Sequence, residues 1–205
     1  MRVLVACERS GVVRDAFRAL GHDAWSCDLV GSDSPYHITA NALAYLTDGW
    51  HLMIAHPSCT NLAVSGALRF KGKEQKQIED LAFVQSLMDA PIARICIENP
   101  VSIISTRIRK PDQIIQPYQF RHDASKKTCL WLKGLPKLTI DPAQYVEPRW
   151  VERRDKNGIL YTLPRWANQT DSGQNRLAPS EHRAMDRART YEGIAAAMAE
   201  QWGSL

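Results

Sequence analysis

The 205-residue sequence has no uninterrupted apolar run of membrane-spanning length, which leaves a bilayer helix without support. Its start, Met1-Arg2-Val3-Leu4, lacks a signal-peptide pattern and runs directly into a strand-like segment, so a cytoplasmic location is expected. Cysteine is sparse: the five residues Cys7, Cys27, Cys59, Cys96 and Cys129 are scattered, with no CxxC pair and no cysteine–histidine ligand set. That spacing argues against a zinc site or a disulfide framework, no metal is expected, and at least one thiol is open to a reactive role. Fixed-period repeats and low-complexity tracts are also absent, and the eleven Gly and eleven Pro are near average, which excludes solenoids, collagen-like folds and extended disorder. Strong overall charge is missing too, at +4 net.

What charge there is lies unevenly. Residues 121–190 carry 14 Lys and Arg against 8 Asp and Glu, a tilt that suits a polyanion as readily as a solvated surface. With 44% hydrophobic residues, the chain can bury one sizeable core but is short for two full domains. The expected organisation is a core over residues 1–140, a small contact region over 141–180, and a helix over 181–205 that returns to the core.

Along the chain, Arg2 to Cys7 reads as a strand, Ser10 as the N-cap of a helix through Leu20, and Ala24 to Leu29 as a second strand carrying Asp28. A short helix is expected near 40–46 and a buried strand from Trp50 to Ala55. A helix from about Lys73 to Met88, with Ile78, Leu81 and Val84 on its apolar side, then leads to a strand from Ile92 to Ile97. Strands alternating with helices predict an α/β, Rossmann-like, doubly wound and mostly parallel sheet, whose ligand crevice lies at the strands' carboxyl ends. Cys129 to Leu132 reads as a further strand. Asp155-Lys156-Asn157-Gly158 is turn chemistry and predicts a β-hairpin appendage within 147–166, and Ala195 to Ala199 predict a final helix ending near Gly203.

Asp28, Cys59 and Glu98 fall at or just beyond predicted strand ends. A thiol in a tight loop there can meet a substrate, whereas most such cysteines are small buried hydrophobes. Glu98 ends an apolar strand and must therefore be paired, solvated or protonated; a carboxyl of raised pKa beside a thiolate is the expected pairing. His37, His51 and His56 read as loop or core histidines.

The order Pro57-Ser58-Cys59-Thr60, helix, strand, Glu98-Asn99-Pro100 resembles the Pro-Cys and Glu-Asn-Val motifs of the DNA cytosine carbon-5 methyltransferases, and the short chain looks like their compact phage-type members. Ala6-Cys7-Glu8-Arg9-Ser10-Gly11 is similar to their first cofactor loop, Asp28 to the acid on the cofactor ribose, and Thr190-Tyr191-Glu192-Gly193-Ile194-Ala195 to their C-terminal motif. The resemblance implies a class I S-adenosylmethionine-dependent methyltransferase of a bacterial or phage-infected cytoplasm. In it Cys59 is the nucleophile, Glu98 activates the base, Asn99 supports the loop, and Cys7, Glu8, Ser10, Gly11, Asp28, Asn41, Glu192 and Gly193 line the cofactor.

The departures are specific. Ser58 stands where the family has Pro and Thr60 where it has Gln, the first loop has a single Gly, and Asn41 replaces an acid that would contact adenine. Only about forty residues are available for target recognition, so Lys126, Lys127, Arg153 and Arg154 are the candidate contacts to single- or double-stranded DNA. A protein partner supplying recognition is a further expectation. Trp150 and Trp166 either stack on bases or pin the hairpin to the core. Two alternatives stay open at this point: the same chemistry on a free deoxycytidine nucleotide, and a catalytically inactive DNA-binding relative. A nicotinamide-type oxidoreductase fits poorly without Gly-x-Gly-x-x-Gly.

Overall fold

The computed structural model describes residues 1–177 and 189–205. In chain order the elements are β1 (Arg2–Ala6), α1 (Val12–Ala19), β2 (Asp23–Asp28), β3 (His37–Thr39), β4 (Leu52–Ala55), α2 (Glu74–Met88), β5 (Arg94–Pro100) and α3 (Ile104–Arg107). They are followed by β6 (Gln113–Ile115), β7 (Thr128–Lys133), β8 (Arg149–Arg154), β9 (Leu160–Arg165) and α4 (Glu192–Trp202). Single 3-10 turns fill several of the connections, including Ala42–Tyr45 where a short helix is expected. The boundary expected near residue 180 lies outside the described residues.

Seven strands form one sheet in the order β3-β2-β1-β4-β5-β7-β6. Pairings among β3, β2, β1, β4 and β5 are parallel, while β7 runs antiparallel to both β5 and β6. Alternation along each strand sends Val3, Val5, Leu52, Ile54, Cys96 and Leu130 to one face, where they meet Val13 and Phe17 of α1 and Ile194, Met198 and Trp202 of α4. Leu4, Ala6, Met53, Ala55, Ile95, Ile97 and Trp131 face the other side, against Val84 and Leu87 of α2. With both faces covered, the central strands must be apolar at every position, which is why they read as continuous hydrophobic runs. This is the Rossmann-like doubly wound fold expected from the alternating pattern.

Strand order reverses between β1 and β4: the chain leaves β1 for β2 and β3, then returns to lay β4 on the opposite side. The carboxyl edge at such a reversal is where open α/β sheets form their ligand crevice. The loops after β1 and β4, together with the ends of β2 and β5, all open there.

Three local expectations are corrected. Strand β5 does not stop at Ile97, because antiparallel β7 continues the ladder through Glu98↔Leu130, Asn99↔Cys129 and Pro100↔Thr128, placing the Glu-Asn-Pro motif inside the strand. Helix α1 is not capped by Ser10; its N-cap is Gly11 at φ 74°, and the buried Glu8 carboxylate accepts the N–H groups of Val13 at 2.8 Å and Arg14 at 3.3 Å. A full negative charge at the positive end of a helix dipole satisfies orphan donors better than a hydroxyl. In α2, Ile78 is exposed rather than part of the packed side.

The hairpin β8–β9 forms its own two-stranded sheet, turning at Gly158 with φ 80°. Its two tryptophans divide the roles expected of them. Trp166 is buried, stacks on Tyr118 at 4.3 Å and donates its indole N–H to the Val146 carbonyl at 3.0 Å, whereas Trp150 is 64% exposed.

Trp202 is fully buried between α4 and the sheet and donates its indole N–H to the Pro136 carbonyl at 3.0 Å. Trp202→Ala is expected to cost about 3–5 kcal/mol, read as a lowered midpoint in urea unfolding; a midpoint unchanged from the parent contradicts this packing.

Candidate active site at the carboxyl edge

The Cys59 loop is built by the strand before it and tied down by the strand beside it. The His56 N–H continues the β4 ladder to the Ala6 carbonyl at 2.9 Å. The buried Asn99 side-chain amide donates to the Pro57 carbonyl at 2.8 Å, fixing the entry to the loop from the adjacent strand. The Cys59 carbonyl accepts from Leu62 and Ala63, and Ser58 Oγ donates to Thr60 Oγ1 at 3.1 Å, so the loop closes as a compact turn. Beyond it, Val64 donates to Val101, Ile103 donates to Leu62, and Ala63 bridges Ser102. The segments after β4 and β5 are thereby stitched into one unit, and Cys59, Asn99 and Glu98 share it.

The other thiols sit in different surroundings. Burial, reinforced by Asp28, pushes Cys7 up to about 12 and, against the hydrogen bond to the Ala40 carbonyl, Cys27 up to about 11, and burial raises Cys96 and Cys129 as well. Four thiols are thus disfavoured as thiolates. Cys59 is half-exposed in its loop rather than set in the sheet.

Glu98 lies at 7% exposure and is engaged on Oε2 by two groups: His56 Nδ1 at 2.7 Å and the Thr190 hydroxyl, which donates at 3.2 Å. Burial favours the neutral acid, but the hydrogen bond and charge of His56, the charge of Lys126 and the Thr190 bond outweigh it and bring Glu98 down to about 2. The expectation of a raised carboxyl is therefore corrected. His56 moves the opposite way: burial opposes its charge, yet Glu98 and, more weakly, Glu8 lift its pKa above the usual value against the repulsion of Lys126. Both shifts run in the direction that favours an imidazolium facing a carboxylate.

His56 and Thr190 are the residues that sequence reasoning missed. The signal was present: His56 ends an apolar strand at the same sheet edge, and the argument that Glu98 needs a partner applies equally to it. Lys126 lies close enough to act on both members of the pair, with its own N–H held by Gln116 Oε1 at 2.9 Å. Lys127 acts on the neighbouring Cys129. Arg153 and Arg154 are carried instead on the hairpin, successive residues whose side chains project to opposite faces.

The cofactor-loop candidates gather around β1, β2 and α4. Cys7 takes a left-handed turn at φ 58°, and Glu8 is committed to α1, with Ser10 Oγ donating to it at 3.3 Å. Gly11 leaves room for the Arg14 guanidinium, whose nearest nitrogen lies 2.1 Å from where a Cβ would stand. Asp28 ends β2 and receives the Val30 N–H on Oδ1 at 2.9 Å; Asn41 receives the Leu43 N–H at 3.0 Å. Gly193 donates its N–H to His122 Nε2 at 2.8 Å, and a Cβ there would meet the Phe120 carbonyl at 2.1 Å, so only glycine lets α4 begin against that turn. Burial lowers the His122 pKa, which keeps the accepting nitrogen unprotonated.

Between α1 and α4 lies a cleft of about 350 Å³ lined by Ser10, Asp15, Arg189 and Glu192 among others. Two of its carboxylates are already ion-paired, Asp15 with Arg14 at 2.8 Å and Glu192 with Arg189 at 3.4 Å. An anionic group at the α1 N-terminus is disfavoured, since Glu8 already occupies it. Among the described residues, no helix is long and apolar enough to cross a membrane.

No family model and no curated protein matches the chain. Among solved structures it is similar to a prophage-encoded Escherichia coli protein provisionally assigned as a DNA modification methyltransferase, at 9% identity and a TM-score of 0.43. The match covers 65% of this chain and 46% of that one, so it spans less than half the length of the compared protein.

The ion pair gives stability a definite pH dependence. Glu98 is depressed, so its contribution is present above its ordinary value of 4.5 and is lost as pH falls towards 2. His56 is raised, so its contribution is present below 6.5 and is lost as pH rises through its folded value. The unfolding free energy of the parent minus that of Glu98→Gln, measured by denaturant titration, should be greatest between those limits and shrink on either side. A difference constant from pH 2 to 9 contradicts the pairing.

Proposed function

We propose that this chain transfers a methyl group from S-adenosylmethionine to carbon 5 of cytosine in DNA, with Cys59 as covalent nucleophile and Glu98 as the group that activates the base. The observation that carries the reading is the Asn99–Pro57 hydrogen bond, which joins the half-exposed thiol loop to the strand that carries Glu98 at the sheet's ligand edge.

Cytosine is a weak electrophile at carbon 6, and a hydrogen-bonded acid at ring nitrogen 3 draws electrons away from that carbon. Addition of the Cys59 thiolate forms a sulfur–carbon 6 bond and makes carbon 5 nucleophilic. Bound S-adenosylmethionine supplies an electrophilic methyl group. After transfer, loss of the carbon-5 proton restores the double bond and expels the thiolate. Asp28, Glu192, Asp15 and the turn from Cys7 to Gly11 would hold the cofactor, while Gly193 and His122 fix the α4 end of the cleft. Lys126 places positive charge beside Glu98, where it can meet the base or its phosphate.

A stacked duplex hides carbon 5, so a duplex substrate must present its base extruded. The hairpin offers Arg149, Arg153, Arg154 and Arg165 with exposed Trp150 and Tyr161, a composition suited to tracking a backbone and stacking on bases.

Transfer from labelled S-adenosylmethionine to unmodified genomic DNA is expected, with deoxycytidine monophosphate as the comparison substrate. Cys59→Ala should reduce it by roughly 10⁴-fold or more, as removal of a covalent nucleophile does; transfer that survives Cys59→Ala defeats the covalent mechanism. For DNA binding, the double variant Arg153→Ala with Arg154→Ala should flatten the slope of log K against log salt on duplex DNA by about 0.9 for the one of the two whose face meets the phosphates. An unchanged slope removes the hairpin from the interface.

A further inference from the structure

The reading above assigns Glu98 an acid's task, yet one of its carboxyl oxygens is already engaged by the His56 ring. Nδ1 and Oε2 are 2.7 Å apart, and the Thr190 hydroxyl donates to the same oxygen. His56 is held by its own backbone to β1, and both side chains of the pair are largely buried. Its second nitrogen, Nε2, is buried and has no hydrogen-bonding partner among the described residues. A buried polar atom left unsatisfied in this way is uncommon, and such atoms concentrate where a side chain serves something other than packing.

Resting on the proposed function, we propose that His56 is a positioning residue that acts through Glu98, holding the proton that the carboxyl group delivers to the cytosine ring. The step balances. As the Cys59 thiolate bonds to carbon 6, the ring electrons move towards nitrogen 3. His56 gives its Nδ1 proton to Oε2, Glu98 becomes a neutral acid, and that acid protonates nitrogen 3. Thiolate and imidazolium become neutral adduct and neutral imidazole, Glu98 ends again as a carboxylate, and the net charge of the site does not change. When the thiolate is expelled, the nitrogen-3 proton returns to the pair, while the proton lost from carbon 5 leaves the site.

The charged groups facing His56 are Glu98 from β5, Glu8 from the β1–α1 turn and Lys126 from the segment before β7. The two carboxylates favour the imidazolium and Lys126 opposes it, while the nearby thiols of Cys96 and Cys129 are kept neutral by burial. His56 must start charged, so methyl transfer should fall as pH rises through the titration of the pair, whose apparent value belongs to both members.

The test combines ¹⁵N NMR titration of the His56 ring with pH profiles of kcat for the parent, His56→Asn and Glu98→Gln. The expected results are a His56 titration above the free imidazole range in the parent that drops in Glu98→Gln, and an alkaline limb of kcat at the same pH as that titration. His56→Asn, which keeps a donor but has no proton to give, should lose about tenfold or more in kcat, lose the alkaline limb, and change KM for DNA little. A His56→Asn profile that superimposes on the parent's overturns the inference while leaving Cys59-dependent transfer intact. If His56→Asn does not fold, a parent alkaline limb that fails to coincide with the His56 titration overturns it. A parent that methylates no cytosine substrate overturns the functional reading and this inference together.

Discussion

The buried pair of His56 and Glu98 is the constraint around which the carboxyl edge of the sheet is organised. Desolvating a carboxylate costs several kcal/mol unless it is paired and hydrogen-bonded, and Glu98 lies inside β5 directly after the buried apolar run Ile95-Cys96-Ile97. His56 directly follows β4 and Glu98 lies in β5, so the two strands must lie side by side and in register. Ala55↔Ile97 is the last β4–β5 pairing before the two ionisable residues. Thr190 supplies a further bond from the segment before α4, which ties the C-terminal end of the chain to the same carboxylate.

The pair also explains why the surrounding segments are stitched together. Asn99 reaches the Pro57 carbonyl, the residues after Cys59 hydrogen-bond to those after Asn99, and Gln116 holds the backbone of Lys126 beside the pair. A charge pair is favourable only in a narrow geometry, and each of these bonds limits how far the loops around it can drift. The half-exposed thiol of Cys59 is the part of this unit left accessible.

Much of the fold was legible because the physics that sets it is local or periodic. Strands buried on both faces read as apolar runs, Asp155 to Gly158 read as a turn, α1 and α2 fell within a residue or two of their expected spans, and α4 ends at Trp202, just before the stop expected near Gly203. What escaped were relations between distant residues. Glu8 was read as a cofactor residue from its loop, and only the structure places its carboxylate on the N-terminus of α1. The length of β5 depended on β7, thirty residues on, which a strand cannot announce by itself. Glu98 was correctly singled out as a carboxyl that needed a partner, but its ionisation depends on which partner, and His56 is forty-two residues away in the chain. Trp150 and Trp166 have similar surroundings in sequence, and packing alone sends one to solvent and the other onto Tyr118.

Covalent attack by Cys59 on cytosine is the central claim, and DNA carrying 5-fluorocytosine tests it most directly. Fluorine at carbon 5 cannot leave as a proton, so an enzyme that adds through sulfur and then methylates is caught on its substrate. With S-adenosylmethionine present, the account predicts a denaturation-stable protein–DNA adduct whose mass places the link on Cys59 and which is absent in Cys59→Ala. Methylation of ordinary cytosine DNA with no such adduct, or an adduct mapped to a different cysteine, would contradict it.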